Sequence, residues 1–159
     1  MDFQRLAQAE YSAFHGFMTA YYREGEDKET PQAEIDTFIQ YLFDKIATEE
    51  IHGALAYTDL QLMGVVLWMN DTSDSSFSQM PGYGTILEMG VLPAYRKMGY
   101  GRQIAVYAEQ QMIKDKVKGY YLCAYGPSQQ FWESCGYVAT GKLAFNGLPL
   151  YEKPLSQLL

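Results

Sequence analysis

One stretch, VLPAYRKMGYGRQIAVYAEQQM from Val91 to Met112, limits what this chain can fold into more than any other. It begins as a strand and passes Pro93. It then crosses a basic, glycine-bearing knot, Arg96 to Arg102, before apolar residues recur with helical spacing at Ile104, Ala105, Ala108 and Met112. A strand ending near Leu92 and a helix starting near Gly99 make a β–loop–α crossover, which belongs to a sheet covered by helices. The first amides of such a helix have no partners inside it, and its dipole places partial positive charge at the same end. Gly99 and Gly101 let an oxyanion approach the backbone, and Arg96, Lys97 and Arg102 add full positive charge. The expected guest is a phosphate or pyrophosphate. The spacing is neither GxxxxGKS/T nor GxGxxG, which sets aside a P-loop and a dinucleotide fold.

Composition narrows the remaining partners. A chain of 159 residues, 48% hydrophobic and 15% aromatic, reads as one domain with a packed core. Its net charge of −7 argues against duplex nucleic acid, whose phosphates need a basic face. Cys123 and Cys135 are too far apart for a CxxC motif and too few for a zinc site, so both read as reduced core thiols. His15 and His52 are isolated, and no spacing suggests a metal. MDFQRLAQAE lacks the basic start and apolar run of a signal peptide, and no window is long enough to span a bilayer. The expected place is the cytoplasm.

Along the chain, residues 3–22 read as a helix broken near Gly16, and REGEDKE as a polar loop bearing Glu24, Glu26, Asp27 and Glu29. Thr30 as N-cap and Pro31 in the first turn announce a second helix, with apolar residues at Ile35, Phe38, Ile39, Leu42, Phe43 and Ile46. IHGALAY and LMGVVLWM, joined by TDLQ, form a hairpin. Asn70–Gly84 is a loop, a lid or a passive linker, in which Phe77 and Tyr83 are the aromatic residues. Strands follow at 85–92 and 120–125, with the long helix at about 99–116 between them. A short helix spans Pro127–Cys135. Two final strands turn at Gly141 or at Asn146-Gly147. The order α–α–β–β–β–α–β–α–β–β is an α/β domain with a mixed sheet.

GVLPAYRKMGYGRQIAVYAEQ resembles the acetyl-CoA-binding motif of the GNAT superfamily of N-acetyltransferases. There a strand ending V-x-P-x-Y/F-R precedes R/Q-x-x-G-x-G/A and an amphipathic helix. Val91, Pro93, Tyr95, Arg96, Gly99 and Gly101 match in place. FWESCGY, Phe131–Tyr137, is similar to the family's xYEKxGF element. The resemblance covers about residues 84–153. It implies a mixed, mostly antiparallel sheet flanked by helices, splayed between the fourth and fifth strands. Residues 1–83 would form the acceptor side and 84–153 the acetyl-CoA side of a single domain.

The same resemblance implies roles for particular residues. The backbone from Arg96 through Lys97, Met98, Gly99, Tyr100 and Gly101 to Arg102 would hold the pyrophosphate of coenzyme A. The backbone around Met89 and Val91, on a bulged strand, would pair with the pantetheine arm, and the Val91 amide would face the developing oxyanion. Glu88, three residues before Val91, would accept the proton of the amine, directly or through water, or else bind the substrate electrostatically or pair with a nearby cation. The tyrosine that often protonates the coenzyme A sulfur aligns with Trp132, whose indole N–H is a very poor acid, so Trp132 would pack against the pantetheine or the core. Tyr125 and Ser128 align with the Asn and Ala that open the short helix, and Tyr125 would bring a hydroxyl near the sulfur. The implied activity is transfer of acetyl from acetyl-CoA to a small-molecule amine, without metal, membrane or nucleic acid, in a possible homodimer. The alternative is a non-catalytic acyl-CoA-binding or sensing module on the same fold.

Overall fold

The chain opens on a strand where a helix is expected. The computed structural model describes residues 1–24, 29–75 and 78–155. Strand β1 (Asp2–Arg5) runs antiparallel to β2 (His52–Thr58), with Phe3 opposite Ala56. β1 carries Phe3 as its one apolar residue, so no period announces it; it forms because β2 offers an edge. Helix α1 (Tyr11–Glu24) then passes through Gly16 without the expected break. A helical glycine costs only about 1 kcal/mol relative to alanine, and α1 buries Phe14, Phe17 and Met18.

Helix α2 (Gln32–Ala47) buries Ile35, Ile39, Leu42, Phe43 and Ile46, but leaves Phe38 43% exposed. Its cap is Pro31 rather than Thr30, and the Pro31 carbonyl accepts the N–H groups of Glu34 and Ile35. β2 and β3 (Gln61–Asn70) meet through Asp59 and Leu60, whose φ values of 49° and 66° are those of the two-residue turns that match strand twist.

β4 (Gly84–Val91), helix α3 (Tyr100–Met112), β5 (Gly119–Cys123), helix α4 (Gln129–Ser134), β6 (Val138–Leu143) and β7 (Pro149–Pro154) complete the chain. The sheet has seven strands in the order β1-β2-β3-β4-β5-β7-β6. β4 and β5 are parallel, and β5–β7 and β6–β7 antiparallel. The β4–β5 ladder aligns Gly84 with Tyr120 and Thr85 with Tyr121 and goes no further among the described residues, so the strands part beyond Thr85. This is the splayed mixed sheet that the sequence leads one to expect.

By packing, the chain forms two compact units that do not follow its order. One joins Met1–Leu67 to Glu88–Ile104, the other Trp68–Leu87 to Ala105–Leu159. In the second, Tyr121, Ala144 and Leu150 form a cluster against which Met80, Tyr83 and Cys123 pack. Glu109, 8% exposed, holds Lys153 Nζ at 3.1 Å and accepts the Tyr137 hydroxyl at 3.0 Å, so this buried carboxylate is paired. Cys123 and Cys135 form no disulfide among the described residues, and burial raises the pKa of Cys123. The β6–β7 turn belongs to Asn146-Gly147: Gly147 has φ 82°, and Asn146 Oδ1 accepts the Leu148 N–H at 3.1 Å. Gly141, also at φ 82°, lies where the β6–β7 register shifts.

The loop after β3 is pinned by one buried carboxylate. Asp71, 2% exposed, accepts the N–H groups of Gln79 and Met80 at 2.8 Å and the Tyr121 hydroxyl at 2.6 Å on a single oxygen. Its backbone also pairs with Tyr83 and Gly82. Phe77 lies outside the described residues. Removing the hydroxyl with Tyr121→Phe should cost about 2 kcal/mol, the scale of a buried bond to a charged acceptor, read as a lower midpoint in urea unfolding with an unchanged slope. No helix among the described residues is long and apolar enough to cross a membrane.

Candidate active site

The end of β4, the knot and α1 fall in the first unit, and together they build the site. The Leu92 N–H donates to Met63 O at 2.8 Å, holding the end of β4 against β3. A tight turn over Pro93–Tyr95 follows, closed by the Tyr95 N–H on Leu92 O at 2.9 Å. Pro93 suits this first position because it has no N–H to lose. The backbone then turns left-handed at Lys97 (φ 61°) and again at Gly99 (φ 84°), and α3 starts at Tyr100.

Two left-handed residues so close together make the kind of loop in which successive N–H groups converge on an anion. Among the described residues no hydrogen bond uses the N–H of Lys97, Met98, Gly99, Tyr100 or Gly101. Met98 is 62% exposed, so the loop faces solvent. A β-carbon on Gly99 would meet no atom within 4 Å, so glycine is required there by its φ and not by crowding. Unpaired amides, an open face and a helix start fit a diphosphate.

The cations divide. Arg96 turns back: its Nε donates to Val91 O at 2.8 Å and its Nη2 meets Glu24 Oε2 at 2.5 Å. Lys97 and Arg102 are exposed at the start of α3. Of the acidic loop, Glu24 is thus engaged with Arg96, Glu29 is exposed, and Glu26 and Asp27 lie outside the described residues. Met89 and Val91 are partly buried, and the Val91 carbonyl is already committed to Arg96.

Glu88 and Gly90 share a face of β4, two residues apart. That face meets α1. A β-carbon on Gly90 would sit 2.7 Å from the Tyr21 ring and 3.4 Å from Phe17, so glycine here lets the helix approach the strand. Glu88 accepts a hydrogen bond from Tyr21. Its side chain keeps some solvent contact, yet protein crowds it on nearly every side. That desolvation pushes its pKa up to about 7, against smaller lowering effects from the Tyr21 and Tyr22 hydroxyls. The Tyr22 hydroxyl is buried beside Glu88, and burial together with that carboxyl raises its pKa. The rings of Tyr21 and Tyr22 stand 5.4 Å apart, edge to face. A carboxyl that titrates near neutrality, beside a tyrosine pair, can take up and release a proton under physiological conditions.

The aromatic run of α1 therefore splits in two. Phe14 and Phe17 are core, while Tyr21 and Tyr22 attend Glu88. From the sequence all four belong to the helix read over residues 3–22, and nothing there links the tyrosines to the acid. The available signal is Gly90, since a glycine inside a strand marks a close approach.

In the second unit, Tyr125 is 55% exposed, and its carbonyl accepts both the N–H and the hydroxyl of Ser128 at 2.9 Å. Trp132 is 7% exposed and packs edge to face on Phe131 and Tyr137, at 4.9 and 5.5 Å between ring centres. Those contacts place Trp132 in the core of its own unit.

The sequence profile of the acetyltransferase (GNAT) family matches residues 11–137. No curated protein matches the chain. Among solved structures, an acetyltransferase from Thermus thermophilus superposes with a TM-score of 0.75 at 15% identity, covering 96% of both chains. PaiA N-acetyltransferase from Thermoplasma acidophilum, in complex with coenzyme A, gives 0.70 at 13% identity over 97% of this chain and 99% of that one. An aminoglycoside 6'-N-acetyltransferase from Acinetobacter haemolyticus gives 0.71 at 17% identity over 91% and 96%.

Proposed function

The chain belongs to the GNAT acetyltransferase family, and on that premise we propose that it moves an acetyl group from acetyl-CoA to the primary amine of a small molecule, by direct transfer in a ternary complex. The observation that carries this reading is the run of unpaired amides from Lys97 to Gly101, next in the chain to a strand bearing an acid near neutrality. The coenzyme A complex and the aminoglycoside acetyltransferase among the structural neighbours support the choice of co-substrate and of a small amine.

In this mechanism the amides of Lys97, Met98, Gly99, Tyr100 and Gly101 hold the diphosphate, with Lys97 and Arg102 as counter-charges. The backbone at Met89 and Val91 aligns the pantetheine amides as an added strand would. Glu88, ionised, takes a proton from the substrate ammonium and exposes its lone pair. The thioester supplies the acetyl carbon, which bonds to nitrogen and releases sulfur. The Val91 amide donates to the oxygen that gains charge. The second nitrogen proton leaves to solvent, since Glu88 already holds the first, and the thiolate gains one. Tyr125 is the proposed source, although a thiolate can leave unprotonated because its pKa is modest.

The test is an amine screen read by thiol release from acetyl-CoA. Turnover of at least one amine class well above the hydrolytic background supports the enzyme. Tight coenzyme A binding with no acceptor in the panel overturns it in favour of an acyl-CoA-binding module. With an acceptor in hand, Tyr125→Phe should lower kcat about a hundredfold without altering coenzyme A affinity, the lower end of the range for general acids; an unaltered kcat removes Tyr125 from the mechanism.

A further inference from the structure

The last turn of α1 lies beyond the core contacts of that helix. α1 buries Phe14, Phe17 and Met18, whereas Tyr21, Tyr22 and Arg23 are half-buried and Glu24 is exposed. A helix end of this kind opens at little cost unless something ties it down. Arg23 donates to Thr30 O at 2.7 Å and to Gln32 Oε1 at 3.0 Å, which holds the turn to the start of α2. Arg96 reaches it from β4: its Nη2 donates to Glu24 Oε2, and its Nε donates to Val91 O at 2.8 Å. The root of Arg96 is fixed, because its N–H closes on the Pro93 carbonyl at 3.3 Å and the Leu92 N–H fastens the end of β4 to β3. One planar guanidinium therefore joins a rigid turn to a helix end 72 residues away in the chain. That helix end carries Tyr21 and Tyr22. Their hydroxyls are the polar groups that act on Glu88 among the described residues, and Arg96 and Glu24 are not among them.

We propose that Arg96 is a positioning residue for the reaction: by clasping Glu24 and the Val91 carbonyl at once, it holds the tyrosine-bearing end of α1 over Glu88 and keeps water from that carboxyl. This rests on the acetyltransfer reading above and adds to it a residue that acts on the base without touching it. With the clasp cut, the turn opens more often, water reaches Glu88, and its ionised form gains. The bonds from Tyr21 and Tyr22 that are lost at the same time pull the other way, but burial is the larger effect. The sign of the shift separates two causes. A direct effect of charge would move the titration of Glu88 in opposite senses, upward on losing the Arg96 cation and downward on losing the Glu24 anion. Loosening one shared turn moves it downward in both cases.

Arg96→Gln, Glu24→Gln and the double variant test this in the unliganded protein. The Glu88 carboxyl carbon, assigned by its absence from Glu88→Gln, is followed by NMR through neutral pH. The parent should titrate at about 7. Each single variant should lower that midpoint by about half a pH unit, the most that an exposed ion pair can transmit. The double variant should go no lower than either single one, since both cut the same link. Shifts of opposite sign, no shift, or single shifts that add in the double variant overturn the proposal. With an acceptor in hand, the limb of kcat/KM should move down together with the NMR midpoint. A limb that stays while the midpoint falls in both single variants removes Glu88 as the base and leaves the clasp standing, so the two readings fail separately.

Discussion

Gly99→Val should weaken coenzyme A binding by about two orders of magnitude and leave a folded protein. The reasoning separates two costs. Gly99 sits at φ 84°, where a β-branched residue is strained by about 1–3 kcal/mol. The space beyond its α-carbon is open, with no atom within 4 Å of an added β-carbon, so the protein has nothing to clash with. On the proposed reading that space receives the diphosphate. A valine there both blocks the approach and tends to flip the peptide, turning away the amides of Gly99 and Tyr100. Each charge-assisted bond lost costs about 1.5–3 kcal/mol, so two account for a hundredfold or more. Calorimetric titration with coenzyme A reads the loss, and circular dichroism checks the fold. Retained micromolar affinity in a folded Gly99→Val protein would remove the knot as the diphosphate site.

The second large effect is expected at Glu88. Glu88→Gln keeps the shape and hydrogen-bonding reach of the side chain but cannot take a proton. General-base catalysis is worth about a hundredfold to ten-thousandfold, so kcat/KM should fall by at least the lower figure. The parent's kcat/KM should rise with pH through about 7 as Glu88 ionises, and that limb should vanish in the variant. A pH–rate profile that keeps its limb near 7 would reassign the proton transfer elsewhere.

Stability should move in the opposite sense. Because burial raises the folded-state pKa of Glu88 from 4.5 to about 7, the folded protein binds more protons than the unfolded chain between those values. Glu88 therefore makes stability fall as pH rises through that window. The loss is complete above about 7, at about 3 kcal/mol. Glu88→Gln should be more stable than the parent at pH 8 and should lose this slope, measurable by urea unfolding at a series of pH values. On the proposed mechanism, function and stability oppose each other at this residue.

How much of this was legible beforehand depends on whether the signal was local. The knot was, because its requirements are those of a few consecutive residues: a proline that gives up no N–H, a glycine at positive φ, and an amphipathic stripe that starts a helix. The Asn146-Gly147 turn and the apolar face of α2 are legible for the same reason. The single-residue strand signal of β1 was not, nor was the continuity of α1 through Gly16, since both are decided by what packs on them. Trp132 in the core and Asp71 as an anchor for the loop after β3 are likewise outcomes of packing.

From the sequence alone come the order of elements after the first helix and the β–loop–α knot with its left-handed glycine, since each depends on residues near one another in the chain, while the choice of Glu88 comes from the family resemblance. Only the tertiary structure decides that Gly90 draws α1 onto β4, that Tyr21 and Tyr22 reach Glu88, and that Arg96 is spent on Glu24. The physical reason is that a raised pKa, a tyrosine hydroxyl set against a carboxyl and an engaged guanidinium are properties of neighbours more than sixty residues away, and desolvation exists only once those neighbours have closed around the group.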